Sequence, residues 1–162
     1  MNELPLVHVI ARFPARPEGL AELHATFDRF FSQPEVEATG LALDDRLALR
    51  TAAGELGANI IVHACGRLPD ATMSLELTGH RDRIEIAFED PGEPYIGPEL
   101  RVPEVMPAGG MGLAVIQASV DAFEYSRSGG TNRWRIVRTT GLPECPRSVP
   151  PPEPVTLWDD EP

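Results

Sequence analysis

Glu55-Leu56-Gly57-Ala58-Asn59-Ile60-Ile61-Val62-His63-Ala64 carries two lines of residues at helical spacing. Leu49, Ala53, Leu56, Ile60 and Ala64 recur at steps of four, three, four and four, the pattern of an apolar helix face. The spacing predicts one helix to about Ala64, with Asp44 or Asp45 as its cap. Glu55, Asn59 and His63 recur at steps of four and lie on a second line, about 100° round from Leu56 and Ile60. A carboxylate, an amide and an imidazole thus border a buried face in register. Gly57 weakens the helix but leaves room for something to approach the backbone.

Upstream, the alternation of Leu4 to Phe13 predicts a strand ending at Pro14. Pro17 to Ser32 reads as a helix whose stripe of Leu20, Leu23, Phe27, Phe30 and Phe31 is core. Downstream, Thr72–Thr78 and Arg83–Glu89 alternate around Gly79-His80-Arg81-Asp82, a hairpin pattern. Pro91, Pro94, Pro98, Pro103 and Pro107 deny residues 91–109 a helix or central strand. A loop that long in a small domain suits a lid or binding segment. Met111 to Val120 reads as a helix opened by glycines, and Ala122–Arg127 and Asn132–Thr140 as two more strands. The order predicts an α+β fold, a two-layer sandwich with a mixed, mostly antiparallel sheet and helices on one face. Residues 1–141 form the expected domain. Residues 142–162 hold seven of the 17 prolines and read as a disordered or extended acidic tail.

The 162 residues suit one domain with one core, and 42% apolar content is globular. A net charge of −11 repels nucleic acid phosphates and anionic lipid. All 14 basic residues are arginine, which excludes a lysine-dependent phosphate cradle and any lysine nucleophile. Cys65 and Cys145 are too few for a disulfide scaffold, and no Cys/His cluster has zinc spacing. No apolar run is long enough for a membrane span, so the simplest reading is a cytoplasmic protein.

Two segments complete a set with the Glu55–His63 line. Phe88-Glu89-Asp90-Pro91-Gly92 follows about thirty residues on, and Gly109-Gly110-Met111-Gly112-Leu113 about twenty after that. Together they supply what ATP requires. A carboxylate at a strand end, Asp90, accepts from the adenine amino group, and Gly92 lets the ring lie against bare backbone. Gly109, Gly110 and Gly112 open a helix whose N–H groups and positive end face phosphate. Asn59 offers a hard amide oxygen to Mg²⁺, and Glu55 a base for an attacking hydroxyl. His63 reads as an oriented wall or packing residue, Cys65 as core, and Trp134 as a strand residue facing the core or an interface. Trp158 reads as part of the disordered end.

In order and spacing these segments resemble the N, G1 and G2 boxes of the GHKL (Bergerat-type) ATPase superfamily. The small size, His63-Ala64 and Val115-Ile-Gln-Ala-Ser-Val-Asp121 are similar to the anti-sigma-factor serine/threonine kinases of the RsbW and SpoIIAB group. Gly130-Thr131-Asn132 resembles the closing Gly-Thr that supports the adenine aspartate, which draws Thr131 into the site. The resemblance covers roughly residues 5 to 140. It implies ATP and Mg²⁺ as cofactors, Glu55 as general base and Asn59 as metal ligand. Met111 and Leu113 join the pocket with the G2 glycines. It further implies a homodimer that holds a sigma factor inactive and phosphorylates a STAS-domain antagonist. One departure is Ala108, where kinases of this group often carry an arginine suited to the γ-phosphate; Arg101 is the nearby substitute. A nucleotide-gated binding module with little kinase activity is therefore an alternative reading. A histidine-kinase-type catalytic domain is another, although no dimerisation helix with a phospho-accepting histidine is visible.

Overall fold

The computed structural model describes residues 4–97 and 112–140. Strand β1 (Val7–Pro14) is followed by helix α1 (Pro17–Phe31), a short helix α2 (Pro34–Glu37) and helix α3 (Leu43–Asn59). A π-helical turn, Ile60–Ala64, continues α3. Strands β2 (Thr72–Gly79) and β3 (Arg83–Asp90), helix α4 (Gly112–Ser119), and strands β4 (Ala122–Ser128) and β5 (Thr131–Thr139) complete the order.

The five strands lie in the order β1-β2-β3-β5-β4. All four pairings are antiparallel, so the parallel pair that a mixed sheet requires is missing among the described residues. Two of the four follow from short connections: β2 to β3 and β4 to β5 are hairpins, the second turned by Gly129 and Gly130 at φ of 57° and 82°. The α+β class with helices against the sheet stands as read.

Alternation decides which sheet face is covered. Met73, Leu75, Leu77, Ile84, Ile86, Phe88 and Ile136 form one buried row. Against them pack Leu23, Phe27 and Phe30 of α1 and Leu49, Ala53 and Leu56 of α3. The opposite sheet face carries a charge lattice: Glu76 meets His8 at 2.9 Å, and Arg133 meets both Glu76 and Glu89. Arg135 bridges Glu85 and Glu124 at 2.9 and 3.0 Å. Such half-exposed pairs add little stability each, but they keep that face hydrated.

Several local expectations shift. The strand starts at Val7 rather than Leu4, which is 86% exposed. The α3 cap is Ala42, without a side-chain bond, and not Asp44 or Asp45. Both aspartates instead occupy the first turn, where the helix dipole favours them. Asp45 Oδ1 accepts from Arg138 at 2.5 and 3.0 Å, which fastens α3 to β5. The room at Gly57 serves packing: a Cβ there would stand 2.7 Å from Leu23 Cδ2 of α1. The expected tail from residue 142, with Cys145 and Trp158, lies outside the described residues, as do residues 98–109 of the segment read as a lid or binding segment.

Candidate functional site

The polar line on α3 opens onto a cavity of about 510 Å³. Glu55, Asn59 and His63 form one wall with Leu56 and Ile60 between them. Glu93, Pro94, Tyr95 and Ile96 after β3, Leu113 of α4 and Trp134 of β5 close the others. Glu55 and Asn59 are one α-helical step of four apart, about 6 Å along the axis. The helix widens just after Asn59: the Cys65 N–H bonds the Ile60 carbonyl, five residues back, at 2.8 Å. Single π-helical turns inside helices often mark functional sites. Here the widened turn delivers the Ala64 carbonyl to the Glu93 N–H at 2.9 Å, tying the N-box helix to the segment after β3.

Asp90, the last residue of β3, is 1% exposed. A buried carboxylate is costly unless donors meet it, and the fold supplies several. Oδ1 accepts from the Gly92 N–H at 2.9 Å, from Asn132 Nδ2 at 2.8 Å, and from the Cys65 thiol at 3.9 Å. Oδ2 accepts from the Trp134 indole Nε1 at 3.3 Å. Asn132 is itself fully buried and held from every side. Its Nδ2 also donates to the Glu93 carbonyl at 2.9 Å, while its Oδ1 accepts from the Tyr125 hydroxyl at 2.8 Å and Arg127 at 2.5 Å. Arg127 also reaches the Gly92 carbonyl at 2.8 Å, so a positive charge is linked to Asp90 through both Asn132 and Gly92. Burial, with the Asp90 charge beside it, pushes the Cys65 thiol up to about 11, so it remains a protonated donor at neutral pH.

The indole lies in an aromatic cluster. Trp134 stacks on Phe123 at 5.8 Å and meets Tyr125 at 4.5 Å and Tyr95 at 5.4 Å. The Tyr95 N–H donates to the Tyr125 hydroxyl at 3.0 Å. Burial raises the Tyr95 phenol, which keeps it neutral.

Of the residues singled out in the sequence, Glu55, Asn59, His63 and Leu113 share the cavity. Asp90 and Gly92 stand just behind it rather than on its surface. Gly92 does not offer bare backbone to a ring: a Cβ there would lie 2.5 Å from the Ala64 carbonyl carbon and oxygen. The glycine lets the helix end and the segment after β3 touch. Thr131 is exposed, and the residue supporting Asp90 is its neighbour Asn132, paired with Asp90 across β3 and β5. Gly112 begins α4. Arg101, Ala108, Gly109, Gly110 and Met111 lie outside the described residues. Sequence reading missed the roles of Asn132, Tyr125, Arg127 and Tyr95. One signal was present: Asn132 has the inward parity of Trp134 and Ile136, so a polar side chain was bound for the interior.

For Mg²⁺, Asn59 and Glu55 offer the hard oxygen donors that the ion takes alongside phosphates. Among the described residues no group of three or more His, Cys, Asp or Glu forms a metal cage by itself. No described helix is long and apolar enough to cross a membrane.

The family model described as "Histidine kinase-like ATPase domain" matches residues 13–138. No curated protein matches the chain significantly. Among solved structures, the RsbU and RsbW domains of Rv1364c from Mycobacterium tuberculosis are similar at TM-score 0.56 and 16% identity. That match covers 82% of this chain and 32% of the other. The histidine kinase domain of the blue-light activated histidine kinase EL346 from Erythrobacter litoralis is similar at TM-score 0.50 and 12% identity. It covers 79% of this chain and 62% of that one. The chain thus spans about a third of the first and three fifths of the second, and likeness at such identity concerns the fold.

Proposed function

Because the chain belongs to the histidine kinase-like ATPase domain family, we propose that it binds ATP with Mg²⁺ in the cavity beside α3 and acts as a serine/threonine protein kinase. The observation that carries this reading is the shared cavity: Glu55 and Asn59 line one wall, and Trp134 on another is hydrogen-bonded to the buried Asp90. A base and a metal ligand therefore share one concavity, and the adenine acceptor stands one side chain behind its wall. Asn59 would hold Mg²⁺ through its amide oxygen, and the ion would neutralise phosphate charge. Asp90 reads the adenine amino group, and Tyr95 and Trp134 offer aromatic surface to the base. Glu55 takes the proton of a serine or threonine hydroxyl as its oxygen attacks the γ-phosphorus, and ADP departs.

The box spacing supports a finer assignment. The protein is a cytoplasmic, homodimeric anti-sigma factor that sequesters a sigma factor and phosphorylates a STAS-domain antagonist. Labelled ATP, Mg²⁺ and the cognate antagonist test it. Transfer to the antagonist is expected, and Glu55→Gln should slow it by about 10²–10⁴-fold while leaving ATP binding near normal. Equal loss of binding and transfer would make Glu55 structural.

One observation favours a second reading. Among the described residues lining the cavity there is no arginine, and two, Glu55 and Glu93, are acidic. Without an arginine at the γ-phosphate, transfer has only the ion to stabilise the developing charge. The chain would then be a nucleotide-gated binding module. ATP binding without transfer in the same assay would select that reading.

A further inference from the structure

The Asp90 carboxylate does not touch the cavity whose ligand it is thought to read. It is 1% exposed, and its donors separate it from the cavity. The Gly92 N–H, Asn132 and the Cys65 thiol all bond Oδ1. Of the four donors, only Trp134 also lines the cavity, and it holds Oδ2. The indole N–H therefore occupies the acceptor through which a base would be read.

We propose that Trp134 is a specificity-determining residue that stands in for the base: its indole N–H is exchanged at Asp90 Oδ2 for the 6-amino N–H of adenine. The inference rests on the reading of the cavity as an ATP site. Like for like exchange keeps a donor on Oδ2 in both states, while Gly92, Asn132 and Cys65 hold Oδ1 throughout. It also sets selectivity. A base with an oxygen at position 6 offers an acceptor to a carboxylate and cannot complete the exchange. The exchange requires the indole to shift against its ring neighbours, of which Tyr95 belongs to the irregular segment after β3 rather than to the sheet.

The consequence is unusual for a residue lining a pocket. Removing the indole N–H removes a competitor, so binding should tighten. Trp134→Phe keeps an aromatic ring against Phe123 and Tyr125 but has no donor. Calorimetry with Mg-ATP should show a dissociation constant lowered at least about tenfold, the scale of one hydrogen bond to a charged group. Mg-ITP, with oxygen at position 6, should show no such gain. Equal tightening for both nucleotides would mean that the smaller ring merely enlarges the cavity, and would overturn the exchange. Unchanged or weaker ATP binding would overturn it too, with the ATP reading intact. If neither wild type nor variant binds ATP while circular dichroism shows both folded, the ATP reading fails and the exchange with it. A second measurement does not depend on the variant folding. In Trp158→Phe protein, where Trp134 is the sole tryptophan, ATP should shift its fluorescence emission and ITP should not. An emission unmoved by saturating ATP would refute the exchange.

Discussion

Replacing Asn132 by alanine should cost far more than replacing Thr131, although the two are adjacent. Asn132 is fully buried and joins five groups: it donates to Asp90 and the Gly92 and Glu93 carbonyls, and accepts from Tyr125 and Arg127. In Asn132→Ala, Arg127 keeps the Gly92 carbonyl and Asp90 keeps Gly92 and the indole. The Tyr125 hydroxyl proton and the Glu93 carbonyl lose the partner that Asn132 supplies. Tyr125 is half-buried and Glu93 exposed, so each stranded group belongs at the lower end of about 1–3 kcal/mol, and the lost bond to the buried Asp90 charge at the upper end. Allowing for partial rehydration near the cavity, the total is roughly 2–5 kcal/mol, a large share of a typical stability of about 5–15 kcal/mol. With a urea slope of about 1–3 kcal/mol per molar, the midpoint should fall by roughly 1–3 M. Thr131 is exposed on the outer side of the strand start, so Thr131→Ala should stay within about 0.5 kcal/mol. Urea unfolding followed by circular dichroism reads both. Equal costs, or a negligible cost for Asn132→Ala, would refute the claim that Asn132 is the keystone of the Asp90 network.

Gly92→Ala should destabilise by about 1–3 kcal/mol in the same assay, because the new Cβ would meet the Ala64 backbone at 2.5 Å and backbone cannot swing aside. Asp90→Asn should weaken Mg-ATP binding by about 1–3 kcal/mol in calorimetry, since a charged acceptor is lost; wild-type affinity would contradict its role as base reader. Acid unfolding should show a contribution from Glu85. Burial alone would raise this carboxyl, but Arg83 and Arg135 outweigh it and hold it below the usual glutamate range. The folded state thus binds the proton less readily than the unfolded chain. The stabilisation is full above the ordinary glutamate range and is lost as pH falls through the folded value, so Glu85→Gln should flatten the pH dependence on the acid side.

Much of the fold was legible because its signals are local. The α1 stripe, the α3 apolar face and the alternation of β2 and β3 each need only a few consecutive residues, and each meets the core as its spacing required. The line of Glu55, Asn59 and His63 was legible for the same reason, since helical geometry alone puts them on one wall. Local reading failed where one element answers to another. The π-helical turn after Asn59 has no local signature and goes with the contact between Ala64 and the segment after β3. Gly57 and Gly92 looked like openings for a ligand, but Leu23 and Ala64 occupy those openings.

The sequence by itself determined the α+β class, the core faces of α1 and α3, and the polar line that borders the cavity, because periodicities of two and of 3.6 are properties of the backbone. Only the tertiary structure decided what surrounds Asp90. Its partners Asn132 and Trp134 are 42 and 44 residues away, and a one-residue change in the register of β3 against β5 would have put Thr131 and Arg133 there instead. A register is fixed by the burial of whole sheet faces rather than by any short stretch. The residues that hold the buried carboxylate therefore became visible only once the strands were paired.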